Sequence, residues 1–118
     1  MAITPTTQVT VLLCTCPNAD AGRTLAATLL DEKLIACANI IDGVRSLYRW
    51  GGKLCDDTEC LLIIKTIPAH VHRLTERIAT LHPYDVPEVL ALSTVDGHVP
   101  YLDWVAASVS PAPSDSSS

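Results

Sequence analysis

The apolar positions of this chain follow two rhythms. Residues 9–16 (Val-Thr-Val-Leu-Leu-Cys-Thr-Cys) are almost continuously apolar or β-branched, a run of strand length that Pro17 closes. Asn18 suits the N-cap of a helix over 19–33, with Leu25 and Leu29 on an apolar stripe and Glu32 and Lys33 on a charged edge. Residues 36–48 read as a second strand, Trp50-Gly51-Gly52-Lys53 as a turn, and the residues up to Thr66 as a third strand. Pro68 fits the first turn of a second helix. There Val71, Leu74, Ile78 and Leu81 recur at i, i+3, i+7 and i+10, and the segment from His82 to Pro87 ends the helix. Residues 89–95 form a fourth strand, Asp96-Gly97 a turn, and 100–108 a short last helix. The order predicts an α+β domain of the ferredoxin-like split β-α-β type with an extra C-terminal helix.

In such a fold both main helices cover one face of the antiparallel sheet, and a monomer should present polar residues on the other. These strands do not alternate that way. Val9, Val11 and Leu13 oppose Leu12, Cys14 and Cys16; Leu61 and Ile63 oppose Leu62 and Ile64; Val89 and Ala91 oppose Leu90 and Leu92. Both faces need cover, and a short last helix cannot supply a layer, so self-association is expected. Composition agrees: 48% of the 118 residues are hydrophobic and mean hydropathy is +0.29. Residues 1–8 read as a flexible leader, 9–110 as one domain, and 111–118 (Pro-Ala-Pro-Ser-Asp-Ser-Ser-Ser) as a disordered tail.

Charge excludes some partners. The formal net charge is −5 and the eight Lys and Arg residues are scattered, so no basic stripe exists to track a run of phosphates. The first residues show no secretory signal, and no apolar run approaches the roughly 20 residues needed to span a bilayer. A cytoplasmic protein without nucleic acid or membrane as partner is expected.

Five cysteines, none in a C-x-x-C pair, read as free thiols. Cys14 and Cys16 share one face of the first strand, too awkwardly spaced for a disulfide and too close for most structural zinc sites. They are either small buried fillers or soft ligands for copper or another thiophilic ion. Among the histidines, His70 and His72 are expected to be solvated, and His98 sits beside a turn. His82 closes the second helix, where it complements the helix dipole or serves as a ligand. No G-x-S-x-G, P-loop, G-x-G-x-x-G or H-E-x-x-H signature is present. Cys14 as a nucleophile with His82 as its base lacks any oxyanion-stabilising element, so the chain reads as a binding protein and not an enzyme.

Several motifs resemble one family. Cys14-Thr15-Cys16-Pro17 resembles the C-T-x-P that ends the first strand of the CutA divalent-cation tolerance proteins. Residues 34–37 and 46–53 (Ser-Leu-Tyr-Arg-Trp-Gly-Gly-Lys) are similar to their S-x-Y-x-W-x-G-K hairpin region, and 59–66 to their E-x₅-K-T strand. His82-Pro83-Tyr84 with Pro87-Glu88 matches H-P-Y-x-x-P-E, and Tyr101-Leu102 with Trp104 matches the last helix. The resemblance runs from Val9 to Ser108. It implies a homotrimer knitted together by long hairpins, and binding of copper and other divalent ions linked to metal tolerance. The copper ligands it implies are Cys14 and His82, while Leu81 replaces a neighbouring histidine found in some members. Asp42 stands where the family usually has proline, and Ile35 where it has a small residue. Two readings follow: a metal-responsive binding protein, or a regulatory trimer resembling the PII-type signalling proteins that takes a small ligand or protein partner between subunits. The second draws on Tyr48, Trp50, Tyr84, Tyr101 and Trp104, all the aromatic residues of the chain, which could equally pack the subunit joint.

Overall fold

Asn18 starts the first helix as its type suggests: its side-chain oxygen accepts the Ala21 N–H at 2.8 Å. The structure, a computed structural model, describes residues 7–112, so the expected leader and tail lie almost wholly outside the described residues. The elements are β1 (Thr10–Cys16), α1 (Ala19–Asp31), β2 (Cys37–Trp50), β3 (Lys53–Thr66), α2 (Val71–Leu81), β4 (Val89–Ser93) and α3 (Val99–Ser108). A 3-10 turn, Pro68–His70, leads into α2. The four strands form one antiparallel sheet in the order β2-β3-β1-β4, the arrangement expected from the element order. Among the described residues, no helix is long and apolar enough to cross a membrane.

Boundaries differ from expectation where the backbone turns left-handed. α1 ends at Asp31 because Lys33 adopts φ 58°. The chain then folds back, and the Leu34 N–H bonds the Leu29 carbonyl at 3.1 Å. Gly51 and Gly52, at φ 59° and 78°, reverse the chain between β2 and β3. Each of those strands has 14 residues, so the hairpin projects and stretches the molecule to 57 × 31 × 26 Å. Midway, the register shifts between Ile41 and Val44. Within this shift the Asp42 carboxylate accepts the Gly43 N–H at 2.8 Å.

The two faces of the sheet part as the sequence pattern requires. Leu12, Cys14, Cys16, Cys60, Leu62 and Ile64 pack against Leu25 and Leu29 of α1 and Leu74 and Ile78 of α2, with Ile35 inside the same core. A second cluster joins Val9 and Ala36 to Leu102, Val105 and Val109, so α3 reaches only one end of the opposite face. Among the described residues, nothing covers the rest of that face. Leu90 and Leu92 remain 54% and 48% exposed, and Val11, Leu13, Leu61 and Ile63 are only half-buried.

Two expectations fail. Leu81 is exposed, not core. It stands at the edge of a stripe centred on Leu74 and Ile78 and lines a shallow groove of about 360 Å³ with Leu25 and Pro83. His70 is buried, not solvated, because the chain after α3 returns over it. Its Nε2 meets the Ser110 carbonyl at 2.7 Å, and Ser110 N–H is itself bonded to the Lys33 carbonyl at 2.9 Å. His72 is solvated as expected, in an exposed pair with Glu76 at 3.1 Å.

Candidate metal centre

The pleat of β1 aims Cys14 and Cys16 at the same, helix-covered side, and both are fully buried. Beside them α2 stops at Leu81, and His82 takes extended backbone (φ −72°, ψ 141°). That change of direction turns its ring towards β1. His82 Nε2 lies 2.7 Å from the Thr15 carbonyl oxygen and 3.7 Å from Cys16 Sγ. One ligand atom from each of Cys14, Cys16 and His82 falls within 4.8 Å of the others. The structure thus brings together the two residues singled out in the sequence, Cys14 and His82, and adds Cys16 to them. The signal for Cys16 was the two-residue strand period.

Electrostatics keep the Cys16 thiol neutral. Hydrogen bonding to Cys14, then burial, push the Cys16 thiol far above its ordinary value. A carbonyl only accepts, so His82 Nε2 carries the proton; Nδ1 then accepts the Tyr84 N–H at 3.1 Å. Both ring nitrogens are engaged. The two sulfurs suit a soft ion once deprotonated, and the imidazole offers its Nε2 lone pair only after its proton moves to Nδ1, which gives up both the Thr15 and the Tyr84 bonds.

Residues 10–108 match the CutA1 divalent ion tolerance protein family. The chain belongs to that family. It is 45% identical over 95 residues to the divalent-cation tolerance protein CutA of Thermus thermophilus, covering 80% of this chain and 92% of the relative. Against the chloroplastic CutA 1 of Oryza sativa it is 47% identical over 95 residues, but spans only 54% of that protein. The crystal structure of CutA1 from Oryza sativa superposes with a TM-score of 0.86 at 45% identity, covering 89% of this chain and 96% of that one. The Thermus thermophilus structure gives 0.83 at 42% identity, with 86% and 99% covered. The family is named for ion tolerance and not for a catalysed reaction.

Next to the thiol group, this CutA1 family member has a second feature that its sequence did not show. Tyr84 packs against His82 at 4.8 Å between ring centroids and donates its hydroxyl to the buried Glu59 carboxylate at 2.7 Å. Burial, then that bond, push the Tyr84 hydroxyl well up. Beyond them opens a cleft of about 890 Å³ lined by Tyr48, Trp50, Glu59, Tyr84, Arg45 and Glu88, among others. Tyr48 donates to Asp57, a bond that pushes its hydroxyl up to about 12. The five aromatic residues do not gather in one place: Tyr101 and Trp104 stack on each other at 5.7 Å on α3, with Tyr101 Oη beside Cys37 Sγ at 3.6 Å.

Proposed function

We propose that this chain binds a thiophilic metal ion, copper as Cu(I), at Cys14, Cys16 and His82 within a homotrimer, and that this binding is its part in divalent-ion tolerance. The observation that carries the reading is the convergence of two buried thiols and one imidazole within 4.8 Å. Thiolate and imidazole are a soft donor set that suits Cu(I) far better than magnesium or calcium. The thiols must lose their protons on binding, so affinity falls as pH drops. His82 joins by exchanging its bonds to the Thr15 carbonyl and the Tyr84 N–H for the ion, its proton shifting from Nε2 to Nδ1. The trimer is supported by the open apolar face of β1, β3 and β4 and by the projecting hairpin, whose Leu47, Trp50 and Leu54 are 62–67% exposed. Titration of the full chain with Cu(I) against a competing chelator tests the site. Cys14→Ser and Cys16→Ser should weaken binding strongly, while Cys37→Ser should not. Parental affinity in both Ser variants would reject it.

A second reading, a regulatory trimer, is favoured by the 890 Å³ cleft with its aromatic walls and buried Glu59. It takes first place if the thiol variants leave copper binding unchanged.

A further inference from the structure

Cys16 has a second thiol neighbour besides Cys14. It stands directly opposite Cys60 in the β1–β3 register. Residues directly opposed in an antiparallel pair have Cα atoms about 4.5 or 5.5 Å apart, and a disulfide bridges Cα separations of about 4.4–6.8 Å. Either kind of pair is therefore in range. Opposed side chains also share a face of the sheet, and both of these are fully buried free thiols. Cys14 and Cys16, two residues apart on one strand, have Cα atoms about 6.6 Å apart by the strand rise. Their parallel side chains keep the Cβ atoms about as far apart, beyond the roughly 3.5–4.5 Å a disulfide needs. Cys14 faces Leu62 across the sheet. Of the three thiols, Cys16 and Cys60 are the pair whose backbone permits a bond.

The cover over this pair is the first turn of α1. Cys60 Sγ donates to the Asn18 carbonyl at 3.1 Å, the same oxygen that receives the Gly22 N–H at 3.1 Å. Gly22 makes room for it, since a Cβ there would meet Cys60 Sγ at 2.7 Å. A helix terminus opens locally at far lower cost than the whole domain, and such an opening would admit a small oxidant to the sulfurs.

We propose that Cys16 and Cys60 form a redox modification site at which a hydroperoxide converts the two thiols into a cross-strand disulfide. With hydrogen peroxide, one thiol is oxidised to a sulfenic acid as the O–O bond breaks and a water leaves. The other thiol attacks that sulfur, the S–S bond forms and a second water departs. Two thiols and one peroxide thus give one disulfide and two waters. Both sulfurs are fully buried, so reaction in the closed state is slow and follows opening of the turn. The disulfide takes Cys16 away from Cys14 and His82. This last consequence rests on the metal reading; the disulfide itself does not.

The test is hydrogen peroxide treatment of the full chain carrying Cys14→Ser and Cys55→Ser, then digestion without reductant and mass spectrometry. The expected result is a peptide linking Cys16 to Cys60, lost on reduction and absent when Cys60→Ala or the volume-preserving Cys60→Val is added. Recovery of both cysteines as thiols, or as unlinked sulfinic and sulfonic acids, overturns the proposal. Cu(I) competition on the peroxide-treated parental chain should show loss of binding that a reductant restores. If the link forms but oxidised and reduced chains bind copper equally, the coupling is overturned. If the reduced chain never binds copper, the metal reading fails while the disulfide stands.

Discussion

His82 donates from Nε2 to the Thr15 carbonyl at 2.7 Å, so the end of α2 is bonded to the middle of the Cys14-Thr15-Cys16 segment. Removing the imidazole leaves the Tyr84 N–H that Nδ1 accepts without that partner, and the Thr15 carbonyl with only the long Cys14 thiol contact at 3.7 Å. His82→Ala should therefore lower stability by about 1–3 kcal/mol, the usual cost of leaving such groups unpaired. Urea denaturation checks this, and an unchanged midpoint would contradict the bond.

Gly22 marks the closest approach of α1 to the sheet. A Cβ there would lie 2.7 Å from Cys60 Sγ and 3.1 Å from Leu62 Cδ2. Gly22→Ala should cost about 1–3 kcal/mol by overpacking. Cys60→Ala in the same chain should recover part of that, because the sulfur is the nearer obstacle. A double-mutant cycle measures the recovery, and strict additivity would show that the contact does not matter.

Arg77 grips Glu32 through Nε and Nη2 at 2.8 and 2.7 Å, tying α2 to the end of α1. The guanidinium holds the Glu32 carboxyl below its ordinary 4.5. A carboxylate with a depressed folded value contributes stability above its unfolded value and loses that contribution as pH falls through the folded one. The difference in urea midpoint between the parent and Glu32→Gln should be present at neutral pH and should narrow steadily below pH 4.5. It should also be small, since both side chains keep 30–38% of their exposure. A difference that does not vary with pH would contradict the pairing.

Trp50 is 67% exposed at the tip of the hairpin, an unusual place for a tryptophan unless a neighbouring copy covers it. Light scattering should give three times the chain mass of 12.6 kDa. Trp50→Ala should loosen the assembly by about 2–4 kcal/mol, as expected for a buried interface aromatic. A monomeric mass in the parent would overturn the assembly, and an unchanged one in the variant would show that the ring is merely solvated.

What could be read from the sequence was whatever depends on short-range periodicity. The strand period of two placed Leu12, Cys14 and Cys16 on one face and Val11 and Leu13 on the other, and the pleat obeys it. The helix period located Leu74 and Ile78, but not the fate of Leu81 at the stripe's edge. What could not be read depends on partners far along the chain. His70 is buried by Ser110, forty positions away. The Cys16–Cys60 opposition requires the β1–β3 register. The engaged nitrogens of His82 require the Thr15 carbonyl, 67 positions earlier.

A copper ion held at this site meets two sulfurs of β1. X-ray absorption at the copper edge of the Cu(I)-loaded chain tests it most directly. Two sulfur scatterers are expected in the parent and one in either Cys14→Ser or Cys16→Ser, with the parental spectrum kept in Cys37→Ser. A first shell of nitrogen and oxygen alone, or one that the Cys14 and Cys16 substitutions leave unchanged, would contradict it.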